Sequence, residues 1–314
     1  MTAYAIALLA DRRLLIKITH PCNLEEYIQP NEIDWSTRFV DIGRLSRYDL
    51  LIDVNLTYIQ HDFVKINFLN YKKTTNLIRV RTGANLIKHL TLNQNHHTKI
   101  MQLGYKLDEF NLEHLFYRWY KKLFKFNAGL TAKYSQMITM TSGSKLICGQ
   151  IRIGGTGDIM KFASRRSSKE FWRFLENRLI KIKDYKLFIT TDKHDVLGEA
   201  LKKFGKKHVI GFKERSFHLA RVKQTDLLDI KCNKISELYL DFMFLGRCQS
   251  GIISHSGFGM LGILNRKNFK ETIDSNFYIV TNPNDIMSDF ANRKNLTFMK
   301  FNTKLLYLEF PYLI

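Results

Sequence analysis

The chain has 314 residues, 49 Lys+Arg against 29 Asp+Glu for a formal net charge of +20, and 45% hydrophobic residues. That apolar content supports a buried core and excludes a disordered or collagen-like chain, and the length suits about two domains of roughly 150 residues. No apolar run reaches the roughly 18–20 residues that cross a bilayer, and Met1–Ala10 is too short for a signal peptide and lacks its basic leader.

In chain order, β-branched and aliphatic runs predict strands at Arg13–Ile18, Leu50–Leu56, Phe63–Leu69 and Leu77–Arg81. Asp108–Phe124 places Leu112, Leu115, Phe116, Trp119 and Leu123 on one helical stripe. Phe126–Gln136, with Asn127-Ala128-Gly129, reads as a hinge between domains 1–135 and 136–314. Beyond it, strands are predicted at Lys145–Ile153, Lys186–Thr190, His208–Phe212, Gly251–Ser254 and Phe277–Val280. Helices are predicted at Ser168–Ile182, opened by a capping box at Ser167–Glu170, and at Ile235–Cys248. The alternation is that of an α/β fold, doubly wound in the second domain, with any ligand at the carboxyl ends of its strands.

Three strand ends carry candidate chemistry. Gln150-Ile151-Arg152 is followed by Gly154, Gly155 and Gly157 and then Asp158; glycines let backbone N–H groups approach an anion, and a guanidinium grips two phosphate oxygens at once. The apolar strand from Leu187 ends in Thr190-Thr191-Asp192, whose carboxylate suits a ligand hydroxyl or the cap of the next helix. After Asp241, a short strand leads to Ser254-His255-Ser256-Gly257-Phe258-Gly259, small residues that open a helix and make a phosphate site from its first N–H groups. The glycine loop after Arg152 is neither a Walker loop nor a G-x-G-x-x-G, and the chain has no G-x-S-x-G elbow and no Asp-x-Asp.

The basic excess is diffuse: 161–183 holds eight Lys/Arg to two Asp/Glu, and 193–225 nine to three. With no zinc-finger or RNA-recognition pattern, a nucleotide diphosphate fits this surface better than a nucleic acid, although a basic nucleic-acid binder stays a minor alternative. Cys22, Cys148, Cys232 and Cys248 form no CxxC pair and no metal spacing. They permit one or two bridges in an oxidising compartment, or act as small buried hydrophobes; Cys232 and Cys248 meet only if the segment between them folds back. Asn55-Leu56-Thr57 and Asn295-Leu296-Thr297 are glycan sequons of use only in the secretory pathway.

Taken in order, these segments resemble the GDP-fucose-dependent fucosyltransferase superfamily, which includes protein O-fucosyltransferases and the α1,6- and xyloglucan-type enzymes. Gln150-Ile151-Arg152-Ile153-Gly154 matches the family's H-x-R strand, Thr191-Asp192 its Ser/Thr-Asp strand end, and Asp241 to Phe258 its D-x-x-x-L-S-x-C/A-D segment with the following S-S/G-F. Ala3–Ile16 resembles the family's opening helix and strand, with Asn31–Trp35 beyond it. The resemblance implies a GT-B-like fold, two Rossmann-like domains facing a cleft, with an acceptor-side domain first and the donor domain second. It implies transfer of L-fucose from GDP-fucose to a hydroxyl of a glycan or protein, inverting, with no cofactor and no metal. Position by position it implies that Arg152 binds the β-phosphate and supports the leaving group and that Asp241 helps hold guanine. Ser256, Gly257 and Phe258 form the phosphate turn, Asp192 lies near the nucleotide, and Gln150 and Gly154 complete the donor loop. Asp158 is the candidate base for the acceptor hydroxyl. A lumenal Golgi or endoplasmic-reticulum location, with an upstream anchor, is implied as well.

Three departures matter. Gln150 replaces the family's His and Gln249 its later Asp, and the chain begins where the family's G-x-G-N loop ends. Either that start is internal, or this copy lacks the loop and is an inactive GDP- or glycan-binding relative.

Overall fold

The computed structural model describes residues 1–19, 22–52, 64–82, 85–151, 165–181, 183–192, 194–212, 228–254, 256–267, 276–281 and 297–301. They divide into two compact units, one of Met1–Thr19 and Leu24–Phe126, the other of His20–Asn23 and Asn127–Asn302.

The first unit opens with α1 (Thr2–Leu9), apolar enough to bury Tyr4, Ala5, Ile6 and Leu9. Two short strand pairs follow: β1 (Ile28–Pro30) and, in parallel, β2 (Arg47–Ile52) with β3 (Leu77–Thr82). After α2 (Ile87–Leu90) and α3 (His97–Gln102) comes α4 (Leu112–Leu123), capped by Asn111, whose side chain accepts from the His114 amide at 3.1 Å. The predicted stripe is buried, and fully enclosed Trp119 meets Tyr4 edge-on at 5.0 Å while its indole N–H donates to the Tyr105 hydroxyl. The chain leaves through β4 (Phe124–Phe126), antiparallel to β1.

Several expectations are corrected here. Arg13–Ile18 forms no strand; its tie to Asn31–Trp35 is an Ile16–Trp35 backbone bond and an Arg13–Asp34 ion pair, too little to build a ladder. The described part of Phe63–Leu69 is a piece of helix and a turn, with Phe68 buried and its amide donating to His96 Nε2 at 3.1 Å. The stretch read as a hinge is mostly helix, α5 (Ala128–Thr141), capped by Asn127, and the two units divide at Phe126.

In the second unit, β5 (Lys145–Ile151), β6 (Tyr185–Thr191), β7 (Val209–Ile210), β8 (Ser250–Ser254), β9 (Phe277–Thr281) and β10 (Thr297–Lys300) form one sheet among the described residues. Its order is β10-β9-β8-β5-β6-β7, all parallel except β10. Besides α5, its helices among the described residues are α6 (Arg165–Arg178), α7 (His194–Phe204), α8 (Leu228–Leu245) and α9 (Gly257–Leu264). Because α6 already starts at Arg165, Ser167 lies inside its first turn and cannot be the N-cap of the predicted box.

Strand residues alternate between the two faces. Ile147, Ile151, Leu187, Ile189 and Ile252 pack with Phe171, Trp172 and Leu175 of α6, with Leu179 just past its end, and with Val196, Leu197 and Ala200 of α7. The residues between them, Cys148, Gln150, Phe188 and Thr190, face α8 and α9. Phe188 meets Phe244 at 4.9 Å, and Cys148 is bridged to Cys248, their Cα atoms 5.9 Å apart. Cys232 is bridged to Cys22 instead, at a Cα separation of 5.8 Å. The fold-back of Cys232 onto Cys248 does not occur, because α8 holds the one along its length and the other beyond its end.

Candidate functional site

The chain starts this sheet at β5, winds outward through β6 and β7, then returns to β8 on the other side of β5. The winding direction therefore reverses between β5 and β8, and in open α/β sheets such a reversal leaves a crevice at the strands' carboxyl ends. Gln150 stands at that end of β5, opposite Ile253 of β8 and Thr190 of β6.

Hydrogen bonds cross the reversal point at two levels. Ser254 Oγ donates to the Gln150 carbonyl at 3.1 Å, and Ser256 Oγ donates to Gln150 Oε1 at 3.3 Å. Ser256 is also the N-cap of α9, accepting from the Gly259 amide at 3.2 Å, so its single proton points to Gln150 and one lone pair to the helix. A Cβ on Gly259 would stand 2.7 Å from Gln150 Oε1, so a hydrogen is what this position has room for. All four groups are buried or nearly so. The amides of Gly257 and Phe258, first in α9, have no carbonyl one turn behind them and lie at the positive end of the helix dipole.

Beside Gln150, Thr190 Oγ1 donates to Asp241 Oδ2 at 2.5 Å. Asp241 is 2% exposed, and its Oδ1 has no hydrogen-bond partner among the described residues. Burial raises its carboxyl to about 8; the Thr190 hydroxyl opposes that shift, and Glu237, one turn back on α8, adds to it. At neutral pH the Asp241 carboxyl is therefore mostly protonated. Gln249, in the slot of the family's later acid, pairs with the start of β5: its amide donates to the Leu146 carbonyl at 2.9 Å and its Oε1 accepts from the Leu146 amide at 2.7 Å.

Of the residues singled out in the sequence, Gln150, Ser256, Gly257 and Phe258 come together at the reversal point. Asp241 joins them through Thr190, which pairs with Gln150 across the strands. Asp192 is half-buried, one residue past β6. Arg152, Gly154 and Asp158 lie outside the described residues, although β5 delivers the chain to Arg152 immediately after Ile151. The packing role of Gly259 was not read from the sequence; the cluster of small residues after Ser256 was its one signal.

No protein-family model and no curated protein matches the sequence. Solved structures do match. Fucosyltransferase NodZ from Bradyrhizobium is 13% identical over 95% of this chain and 91% of its own, at a TM-score of 0.53. NodZ α-1,6-fucosyltransferase co-crystallised with GDP matches at 13% and 0.54 over the same spans. A mutant of Arabidopsis thaliana FUT1 in complex with GDP is 11% identical over 91% of this chain and 68% of its own, at 0.60. Over 91–95% of its length, then, the chain has the α/β fold of the GT-B fucosyltransferases.

Proposed function

We propose that this chain is a glycosyltransferase that moves L-fucose from GDP-fucose to a hydroxyl of a glycan or protein, metal-free and with inversion. The observation that carries the reading is the bridge from Gln150 to the Ser256 cap, which holds a helix N-terminus over the crevice where the sheet reverses. Solved structures of the same fold have been obtained with GDP and soaked with GDP-fucose, which supports the same donor here.

Breaking the bond from fucose to phosphate leaves added negative charge on GDP, and rate is gained by groups that meet that charge as it develops. The Gly257 and Phe258 amides supply a preorganised positive end, so the charge can be met without a cation. Arg152, next after β5, supplies the guanidinium for the β-phosphate, and Asp158 takes the acceptor's proton. Asp241 keeps one oxygen, Oδ1, for a hydrogen bond with the base. Disulfides at all four cysteines support a lumenal, oxidising location.

One observation favours a second reading, an inactive GDP-binding relative: Gln150 cannot ionise, and its side-chain oxygen is already engaged by Ser256. Calorimetry with GDP in the presence of EDTA, combined with transfer from labelled GDP-fucose, separates the two. Binding with turnover supports the enzyme, binding alone the relative, and no binding removes both. Arg152→Ala is expected to abolish transfer with an unchanged melting temperature; near-normal turnover in that variant would refute the arginine's role.

A further inference from the structure

Arg266 is a buried cation that the donor-site reading does not use. It is 7% exposed, and no carboxylate contacts it among the described residues. Its partners are backbone carbonyls: Nε donates to Ile263 at 2.6 Å, Nη1 to Cys248 at 3.0 Å and Nη2 to Leu245 at 3.3 Å. Leu245 is the last residue of α8, Ile263 the penultimate residue of α9, and Cys248 lies in the turn into β8. Carbonyls in a helix's last turn lack intrahelical partners and sit at the negative end of its dipole. One planar guanidinium thus satisfies two helix ends at once, a geometry a lysine's single nitrogen cannot reproduce.

The rest of the junction is equally close. The guanidinium carbon lies 4.4 Å from the centroid of the Phe277 ring on β9. A Cβ on Gly262 would stand 2.8 Å from Leu245 Cδ1, and one on Gly246 would collide with the Asn265 carbonyl. Helices α8 and α9 therefore meet nearly backbone to backbone at the ends that Arg266 ties.

We propose that Arg266 is a positioning residue: by locking the carboxyl ends of α8 and α9 together, it fixes where the first turn of α9, with Ser256, Gly257 and Phe258, meets the end of β5. The helix has eight residues, a rod of about 12 Å, so a tilt at the Arg266 end displaces the first turn. The consequence for catalysis rests on the nucleotide-sugar reading; the aiming of the helix does not.

The test is Arg266→Lys, followed by hydrogen exchange, thermal melting and GDP titration on the full chain. A cooperative melt is expected, with exchange of the Gly259 and Met260 amides, both bonded to Ser256, at least about tenfold faster, the size given by losing one charge-assisted hydrogen bond, and unchanged exchange in Leu187–Ile189 of β6. GDP affinity is expected to fall in parallel. Should that variant not fold, Phe277→Leu removes the ring under the guanidinium, keeps its three bonds, and is expected to produce a smaller change at the same two amides. Wild-type exchange at Gly259 and Met260 in a folded variant, or an equal rise in β6, would overturn the proposal. If GDP binds neither the parent nor the variant, the donor reading fails, while the exchange data still decide whether Arg266 aims α9.

Discussion

The two faces of the six-stranded sheet are made by alternate residues of the same strands, yet they differ in kind. Toward α6 and α7 the contacts of Ile147, Ile151, Leu187, Ile189 and Ile252 are apolar side chains. Toward α8 and α9 the strands present Cys148, Gln150 and Thr190, engaged respectively by a disulfide, a helix cap and a buried acid. The first face gains its stability from area removed from water; the second adds to the Phe188–Phe244 contact directed bonds that each need one particular partner. The geometry of the second face is thereby specified bond by bond, while the first is a packed apolar layer.

Mutations should separate the faces. The largest loss of stability is expected on the apolar side: Leu175→Ala, at a fully buried position, should cost about 2–5 kcal/mol in urea unfolding and leave the GDP affinity of folded molecules unchanged. On the polar side, Asp241→Asn should act through pH. The Asp241 carboxyl is raised to about 8 in the folded chain, so the stability tied to its protonated form is present below about pH 4 and is lost as pH rises toward 8. Melting curves of parent and variant should therefore nearly coincide near pH 4 and diverge by about 1–3 kcal/mol in favour of the variant at pH 8. A constant gap across that range would show the acid to be ionised in the fold. The smallest effect on stability is expected from Gly259→Ala, about 1 kcal/mol, because the atom it meets is the end of a flexible side chain. Its GDP affinity should nevertheless fall about tenfold, and Gln150→Ala in the same chain should restore the room but not the bond from Ser256 to position 150.

The sequence was most readable where periodicity and burial agree. The strands of the second unit and the stripe of α4 follow from alternation and from the helical spacing of Leu112, Leu115, Phe116, Trp119 and Leu123. Helix α5 was missed because it buries little besides Leu130 and Met137 and exposes Met140, so no stripe marks it. Arg13–Ile18 has a strand's composition but only isolated backbone bonds to its neighbours, such as Ile16 to Trp35, too few for a ladder, a fact that no local pattern carries. At the site, the order of the motifs located Gln150, Asp241 and Ser256, but their depth was not readable. An Asp inside a helix looks the same in sequence whether it faces water or, like Asp241, a threonine on the neighbouring strand.

The close fit of Gln150 against Gly259 bears on how this chain can diverge. A side chain gained at position 259 needs atoms surrendered at position 150, and a bulkier ring at 150 requires 259 to remain without one. Homologous sequences should therefore change these two positions together, and a lineage that alters one of them alone should show a rearranged opening to α9.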